Sequence, residues 1–389
     1  MIRLTKSISF LFLAALICPA ARVPASQTAE TKSSSSSKRV HNSITQDDRN
    51  WMWHQIDDGI DIDVRIQGKV EFTDDYSDIK SVEDGGWITV KESRGGVTRK
   101  FEARMAADGL KRSYSVNGQA SPLDDEGRAW LAKMLIETVR QGGYDAKERV
   151  ERILKRGGPR AVLAEISQLK GDYVKRVYFE ELLNQSTLDN ETAREVLNQA
   201  GREIRSDYEK TQLLIKMSGS YLRDEPSRTI YLGAVSTIRS DYEKGRALSA
   251  LLKQGNLSKD NLLFAIKAAH TISSDYERAQ LLIKIADGFQ LDDDQRAAYL
   301  SGIAPMKSDY EKGRVLSALL KKGDSGKETL LFTVKSALTI SSDYEKAQLL
   351  LKVAAVGSGD ESVRNALVES ARTIKSEYER GRVLSAVYK

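Results

Sequence analysis

The chain has 389 residues, 40% of them hydrophobic and 30% charged, with a formal net charge of +5. That length allows two or three ordinary domains, and the composition is that of a foldable chain rather than a globally disordered one. So small a charge spread over so long a chain gives little electrostatic pull on a polyanion, and nucleic acid, which wants a dense basic stripe, is not expected as a partner.

The N-terminus reads as a secretory signal, residues 1–25. Arg3 and Lys6 are followed by an apolar run from Ile8 to Cys18, and Ala20 or Ala25 offers a cleavage point. The run is too short to span a bilayer as a helix, so export without stable membrane insertion is expected. Cys18 is the only cysteine and lies in the segment to be removed. The exported chain would then have no thiol, disulfide or thiolate metal site. Lipidation at Cys18 would want a small residue before it, where Ile17 stands. Loss of Arg3, Lys6 and Arg22 brings the net charge from +5 to about +2. Residues 26–49, with the serine run Ser33–Ser37, read as a flexible linker.

Residues 50–122 read as a small antiparallel β domain. Ile60 to Ile66 alternates apolar with polar residues, the period of a half-buried strand. Val70–Phe72, Trp87–Val90, Val97–Met105 and Leu110–Val116 continue it, and Gly85-Gly86, Gly95-Gly96, Asp108-Gly109 and Asn117-Gly118 mark the turns. A meander of four or five strands fits. Helix is expected from about Asp124, with Trp130, Leu131, Met134, Leu135 and Val139 at helical spacing.

From residue 123 to 389 the dominant feature is repetition. A Ser-[Asp/Glu]-Tyr-Glu-[Lys/Arg] motif places Tyr208, Tyr242, Tyr276, Tyr310, Tyr344 and Tyr378 at strictly equal intervals, with a degenerate copy at Gly171-Asp172-Tyr173. In one unit, Leu248, Leu251 and Leu252 mark a first helix, Gly255-Asn256 a break, and Leu262, Leu263, Ile266 and Ala269 a second helix. A lone helical hairpin cannot bury its apolar face and stacked hairpins can, so the fold expected is a mainly α chain, an α-solenoid of such hairpins. Four residues after each tyrosine, Gln212, Arg246, Gln280, Arg314, Gln348 and Arg382 alternate, so the underlying unit is a duplicated block of two hairpins.

Most of the motif has a structural reading. Each Ser-x-x-Glu, from Ser206/Glu209 to Ser376/Glu379, fits a reciprocal capping box, and the acid at the first helical position suits the helix dipole. Ser325/Glu328, Ser358/Glu361 and Asp292/Gln295 suggest the same device on second helices. The tyrosine needs no cap role. Either its ring wedges between neighbouring hairpins, or Tyr and the Arg/Gln one turn later form a recognition stripe on a shared helix face. At about 9 Å between stacked helices and two helices per repeat, that stripe would run on the order of 90 Å.

Enzyme signatures are missing. His41, His54 and His270 belong to no His-Glu-x-x-His pattern, and no Gly-x-Ser-x-Gly elbow occurs. Gly323-Asp324-Ser325-Gly326-Lys327-Glu328 lacks phosphate-loop spacing and reads as an inter-helix turn. Asp292-Asp293-Asp294 lacks the alternating ligands and glycine of a calcium loop, and Asp57-Asp58-Gly59 reads as a turn. No catalytic residue, metal or cofactor is expected.

The hairpin resembles tetratricopeptide repeats in length but lacks their Trp–Leu–Gly–Tyr pattern and closing proline. A closer resemblance is carried by Val70-Glu71-Phe72-Thr73-Asp74-Asp75, Gly109-Leu110-Lys111-Arg112-Ser113-Tyr114, Gly127-Arg128-Ala129-Trp130-Leu131, Gly171-Asp172-Tyr173-Val174-Lys175-Arg176 and the Ser-Asp-Tyr-Glu-Lys repeats. Over about residues 60–389 these resemble a family of uncharacterised exported bacterial proteins. Similar regions occur fused behind membrane zinc peptidases of the antirepressor type. The resemblance implies an extracytoplasmic, sensory or regulatory module and brings no catalytic residues. The expectation is an exported envelope module, periplasmic or extracellular, that binds a protein or peptide through its repeats; the alternatives are a regulatory or sensory partner of an envelope peptidase and, least favoured, an enzyme with an unrecognised carboxylate site.

Overall fold

A computed structural model describes residues 27–30, 41–321 and 326–389. The expected signal segment, the serine run and Gly323–Ser325 lie outside the described residues. The chain divides into two compact units, Met1–Thr138 and Val139–Lys389.

The first unit is built on an antiparallel sheet. Its strands are β1 (Gln27–Glu30), β2 (His41–Gln46), β3 (Asn50–Asp57), β4 (Ile60–Gln67), β5 (Val70–Phe72), β6 (Ile79–Val82), β7 (Trp87–Arg94), β8 (Val97–Ala106), β9 (Gly109–Val116) and β10 (Gln119–Ala120). Eight form one sheet in the order β1-β2-β3-β4-β7-β8-β9-β10, and β5 and β6 pair separately. The register sets Ile44, Trp53, Val64, Val90, Phe101 and Tyr114 side by side across six strands, and all six are buried. The alternating pattern serves this row, because a slip of one residue would turn every member to solvent. Gly95-Gly96 and Asn117-Gly118 take positive φ at both turn positions, the geometry of a two-residue hairpin. Asp58-Gly59 does so too, so Asp57-Asp58-Gly59 is a turn.

Within residues 26–49, expected as a linker, Gln27–Glu30 and His41–Gln46 instead pair as β1 and β2 and extend the sheet, while residues 31–40 lie outside the described residues. The residues of both strands are mostly polar. The core takes only Ile44 from β2, and Asn42 accepts a hydrogen bond from the buried Trp53 indole at 2.9 Å. A strand that contributes one apolar side chain leaves almost no periodic signal.

Helix α1 (Asp125–Gln141) starts where expected, capped by Asp124, which accepts from the Gly127 N–H at 2.9 Å. Trp130 packs on Tyr114, ring centroids 5.6 Å apart, and donates to the buried Glu92 carboxylate at 2.8 Å. The division between the units therefore falls within α1, rather than at residue 123.

The second unit is an α-solenoid. Its first helices are α3 (Asp172–Gln185), α5 (Asp207–Tyr221), α7 (Asp241–Leu252), α9 (Asp275–Gly288), α11 (Asp309–Leu320), α13 (Asp343–Gly357) and α15 (Glu377–Val387). Its second helices are α4 (Asn190–Glu203), α6 (Glu225–Ser236), α8 (Lys259–His270), α10 (Asp293–Ile303), α12 (Lys327–Ala337) and α14 (Glu361–Arg372). Before them runs α2 (Ala146–Ile166), broken at Gly158-Pro159, where the glycine takes positive φ. Each first helix packs on the next first helix, while α4 packs on α6, α6 on α8, α8 on α10 and α12 on α14. The array is thus two layers. This shortens the expected stripe: neighbouring first helices are one packing distance apart, so six tyrosines span about 45 Å rather than 90 Å.

Buried leucines and alanines of both layers fill the space between them. Tyr231 and Tyr299, two repeats apart on second helices, are fully buried and donate to the carbonyls of Ala247 at 2.9 Å and Val315 at 3.2 Å. Burial pushes both phenols well above the usual tyrosine range. Tyr178 on α3 is fully buried as well, and all three lie outside the motif.

Candidate functional site

Most positions of the motif resolve into intramolecular roles. The serine caps each first helix. Its Oγ accepts from the N–H three residues on, at 3.2–3.4 Å in all six copies. Each such cap is worth roughly 1 kcal/mol.

The glutamate does not complete the box, which corrects the reciprocal cap expected from sequence. The serine N–H is already taken by the aspartate of the preceding motif. Ser206, Ser240, Ser274, Ser308 and Ser376 donate to Asp172, Asp207, Asp241, Asp275 and Asp343 at 2.7–2.9 Å, and Ser342 donates to Asp309 at 3.4 Å. Five of these aspartates also hold the N–H just before the serine. The aspartate is therefore a staple from one repeat to the next. Among the second helices, Asp292/Gln295 forms the full box on α10. On α14 the cap is Asp360, whose carboxylate accepts from Ser362 and Val363, rather than Ser358. Gly326 occupies the N-cap of α12 and supplies no side-chain cap.

The glutamate instead turns to a guanidinium: Glu243–Arg246 at 2.9 Å, Glu311–Arg314 at 2.8 Å and Glu379–Arg382 at 2.8 Å. Glu209 pairs with Arg176 of the previous first helix. The basic residue that closes the motif is buried at Lys210, Lys244, Arg278, Lys312 and Lys346. The four lysines donate to threonines at the ends of the second helices, as Lys244 does to Thr271 at 2.8 Å. A cation at a helix C-terminus is electrostatically favoured, which helps offset its burial.

Tyrosine is the exception. Tyr208, Tyr242, Tyr276, Tyr310, Tyr344 and Tyr378 are 53–74% exposed, so their rings do not wedge between hairpins. Their hydroxyls make no hydrogen bond among the described residues. Two kinds of rung alternate. In one, the guanidinium of Arg246, Arg314 or Arg382 lies over the ring of Tyr242, Tyr310 or Tyr378, each 5.7 Å from the centroid, and the paired glutamate holds it there. In the other, Gln212, Gln280 or Gln348 stands one turn beyond Tyr208, Tyr276 or Tyr344, and among the described residues no cation covers the ring. Between α11 and α13 the candidates converge on one groove of about 520 Å³, where Tyr310 and Arg314 face Tyr344, Glu345 and Gln348. The Glu345 carboxylate stands beside Gly313, as Glu277 does beside Gly245 one block earlier, at a distance where an added Cβ would make ordinary contact. The sequence reading had no reason to include Glu277 and Glu345. The signal available was the alternation of Gly and Ala beside Arg and Gln.

The histidines stand apart. His54, on β3, bonds Asp61 at 3.0 Å, and His270 closes α8, its imidazole held below the usual range by burial. Among the described residues no helix is long and apolar enough to cross a membrane.

Several carboxylates titrate below their ordinary value of 3.8: Asp343 through the Ser376 N–H, Asp292 through the Gln295 N–H, and Asp360, brought to about 2, first through the Ser362 hydroxyl. A depressed folded-state pKa gives stability that is complete above the unfolded value and lost as pH falls through the folded one. The array's thermal midpoint is accordingly expected to hold from pH 7 to about pH 5 and to fall steadily from about pH 4 toward pH 2. Helical circular dichroism melts check this; a midpoint independent of pH across that window would show these caps to be formed equally in the unfolded chain.

The fold thus defines the class: a mainly α chain whose C-terminal unit is an α-solenoid of 34-residue hairpins behind an antiparallel sheet. No family model, curated protein or solved structure matches the chain.

Proposed function

We propose that the solenoid is an exported binding module that recognises a protein or peptide partner along its tyrosine row. One observation carries the reading: in a motif kept six times the serine caps in every copy, the aspartate staples the next repeat in five and the glutamate pairs with an arginine in four, whereas the tyrosine is exposed in all six. Solvated rings at a fixed interval have no reason in folding, whereas large amphipathic aromatic side chains are effective contact residues. The alternating Arg and Gln supply hydrogen bonds beside each ring. Many modest contacts along about 45 Å would add up by avidity. The resemblance to regions fused behind membrane zinc peptidases makes such a peptidase, acting in trans in the cell envelope, the first partner to test.

The experiment is site-specific photo-crosslinking in the producing cell. A crosslinkable residue replaces Tyr276 in one variant and the exposed Lys267, on second helix α8, in another. A partner is expected to be trapped from position 276 and not from 267. Tyr→Ala at all six rungs should abolish its capture, and one substitution should weaken binding by about tenfold. Equal trapping from both positions, or capture unchanged by the sixfold variant, would remove the tyrosine row from consideration.

A further inference from the structure

The duplicated array has one place where it departs from its own pattern in charge. Of the arginines in the second unit, Arg202, Arg205, Arg223 and Arg239 alone have no side-chain hydrogen bond or ion pair among the described residues. Three of these four, Arg202, Arg205 and Arg239, line a single groove of about 690 Å³ between α4 and α6, together with the buried Lys210. No carboxylate lines it.

Comparison with the equivalent positions shows that this is local. The counterparts of Arg202 in later repeats are Ser236, His270, Ala304, Leu338 and Arg372. Those of Arg205 are Arg239, Ser273, Lys307, Ser341 and Lys375. Only at the α4–α6 groove do three guanidiniums coincide. Helix dipoles account for one of them, since Arg202 is in the last turn of α4. They oppose the other two, because Arg205 and Arg239 each precede a first helix by two residues, at its positive end. Two carboxylates flank these segments: Asp172 holds the N–H groups of Arg205 and Ser206, and Asp207 holds those of Arg239 and Ser240 through one oxygen, its other oxygen having no hydrogen bond among the described residues. The cations also act on one another. Lys210 gives up its proton more readily than an ordinary lysine, first because it is buried and also because Arg239 is near, against the opposite pull of Asp207 and Asp172.

Like charges gathered in a concave wall repel unless an anion joins them. Guanidinium forks match phosphoryl oxygens in geometry and keep their charge at any working pH. A groove of this volume is in the range of small-molecule sites. We propose that the α4–α6 groove binds a phosphoryl-bearing anion, with Arg202, Arg205 and Arg239 as its donors. The site shares no lining residue with the tyrosine groove and stands or falls independently of it.

Pyrophosphate titrated into the full exported chain, followed by calorimetry at low salt, is the test. Saturable binding is expected, weakened about tenfold or more in the Arg205→Gln/Arg239→Gln variant and unchanged in Arg223→Gln. All of these side chains are exposed, so circular dichroism should report the same fold in each variant. A parallel arm uses phosphatidylglycerol vesicles. Loss of vesicle binding in the double variant, with pyrophosphate binding absent throughout, would assign the phosphoryl group to a lipid headgroup. Loss of pyrophosphate binding with vesicles ignored would assign it to a diffusible ester. No saturable binding in either arm, or equal weakening by Arg223→Gln, would overturn the site.

Discussion

Asp241→Ala is expected to cut the array between two repeats while leaving each hairpin intact. The Asp241 carboxylate accepts the N–H groups of Ser273 at 3.0 Å and Ser274 at 2.9 Å, and these begin the turn into α9. Hydrogen bonds to a charged acceptor are the stronger kind, and the variant leaves two donors without an internal partner. A loss of about 2–3 kcal/mol follows. In a solenoid that loss falls on one nearest-neighbour interface rather than on a global core. Chemical denaturation should therefore become biphasic, with the repeats after the cut unfolding first. Amide exchange at Ser273 and Ser274 should accelerate by roughly 30-fold or more relative to wild type. Asp241→Asn, which keeps a neutral acceptor, should recover part of the loss. Were the aspartate present only for the dipole of its own helix, exchange at Ser273 and Ser274 would not move, and the staple would be refuted.

That staple also shows where the sequence was readable and where it was not. The repeat period, the hairpin and the serine caps were legible because they are local: each concerns residues within a turn or two of one another, or a motif that simply recurs. The aspartate's partner lies in the next repeat, and no pattern within one motif points to it. The glutamate was misassigned for the same reason, since a capping box requires a free serine N–H and the staple had already occupied it. On the sheet, β4, β7, β8 and β9 alternate and could be read, whereas β2 buries Ile44 among mostly polar residues and could not. The tyrosine row was half legible. Spacing fixed which residues share a helix face, but a recurring aromatic at that spacing serves packing or contact equally well, and only burial separates them. Tyr178, Tyr231 and Tyr299 do the packing, outside the motif. The groove at Arg202, Arg205 and Arg239 escaped notice because its members come from two segments one repeat apart and its signal is a missing partner, which a sequence does not display.

The separation of fold from contact can be tested on one helix. In α9, Ala279, Leu282, Ile285 and Ala286 face inward and are buried, whereas Tyr276 is 55% exposed and Gln280 follows one turn later. Lys284, on the same outer stripe, reaches Ser249 of the preceding first helix at 2.8 Å. Leu282→Ala removes buried methyl groups and leaves a cavity that two rigid layers cannot fully close. It is expected to cost about 2–5 kcal/mol. Tyr276→Ala removes a ring that packs against solvent and should change stability by less than about 0.5 kcal/mol. The two variants should therefore diverge: the leucine variant melts early and loses partner capture only through unfolding, whereas the tyrosine variant melts like wild type and binds less. Should Tyr276→Ala alone lower the denaturation midpoint as far as Leu282→Ala does, the exposed ring would be holding the array together, and the recognition row would have to be sought elsewhere on the solenoid.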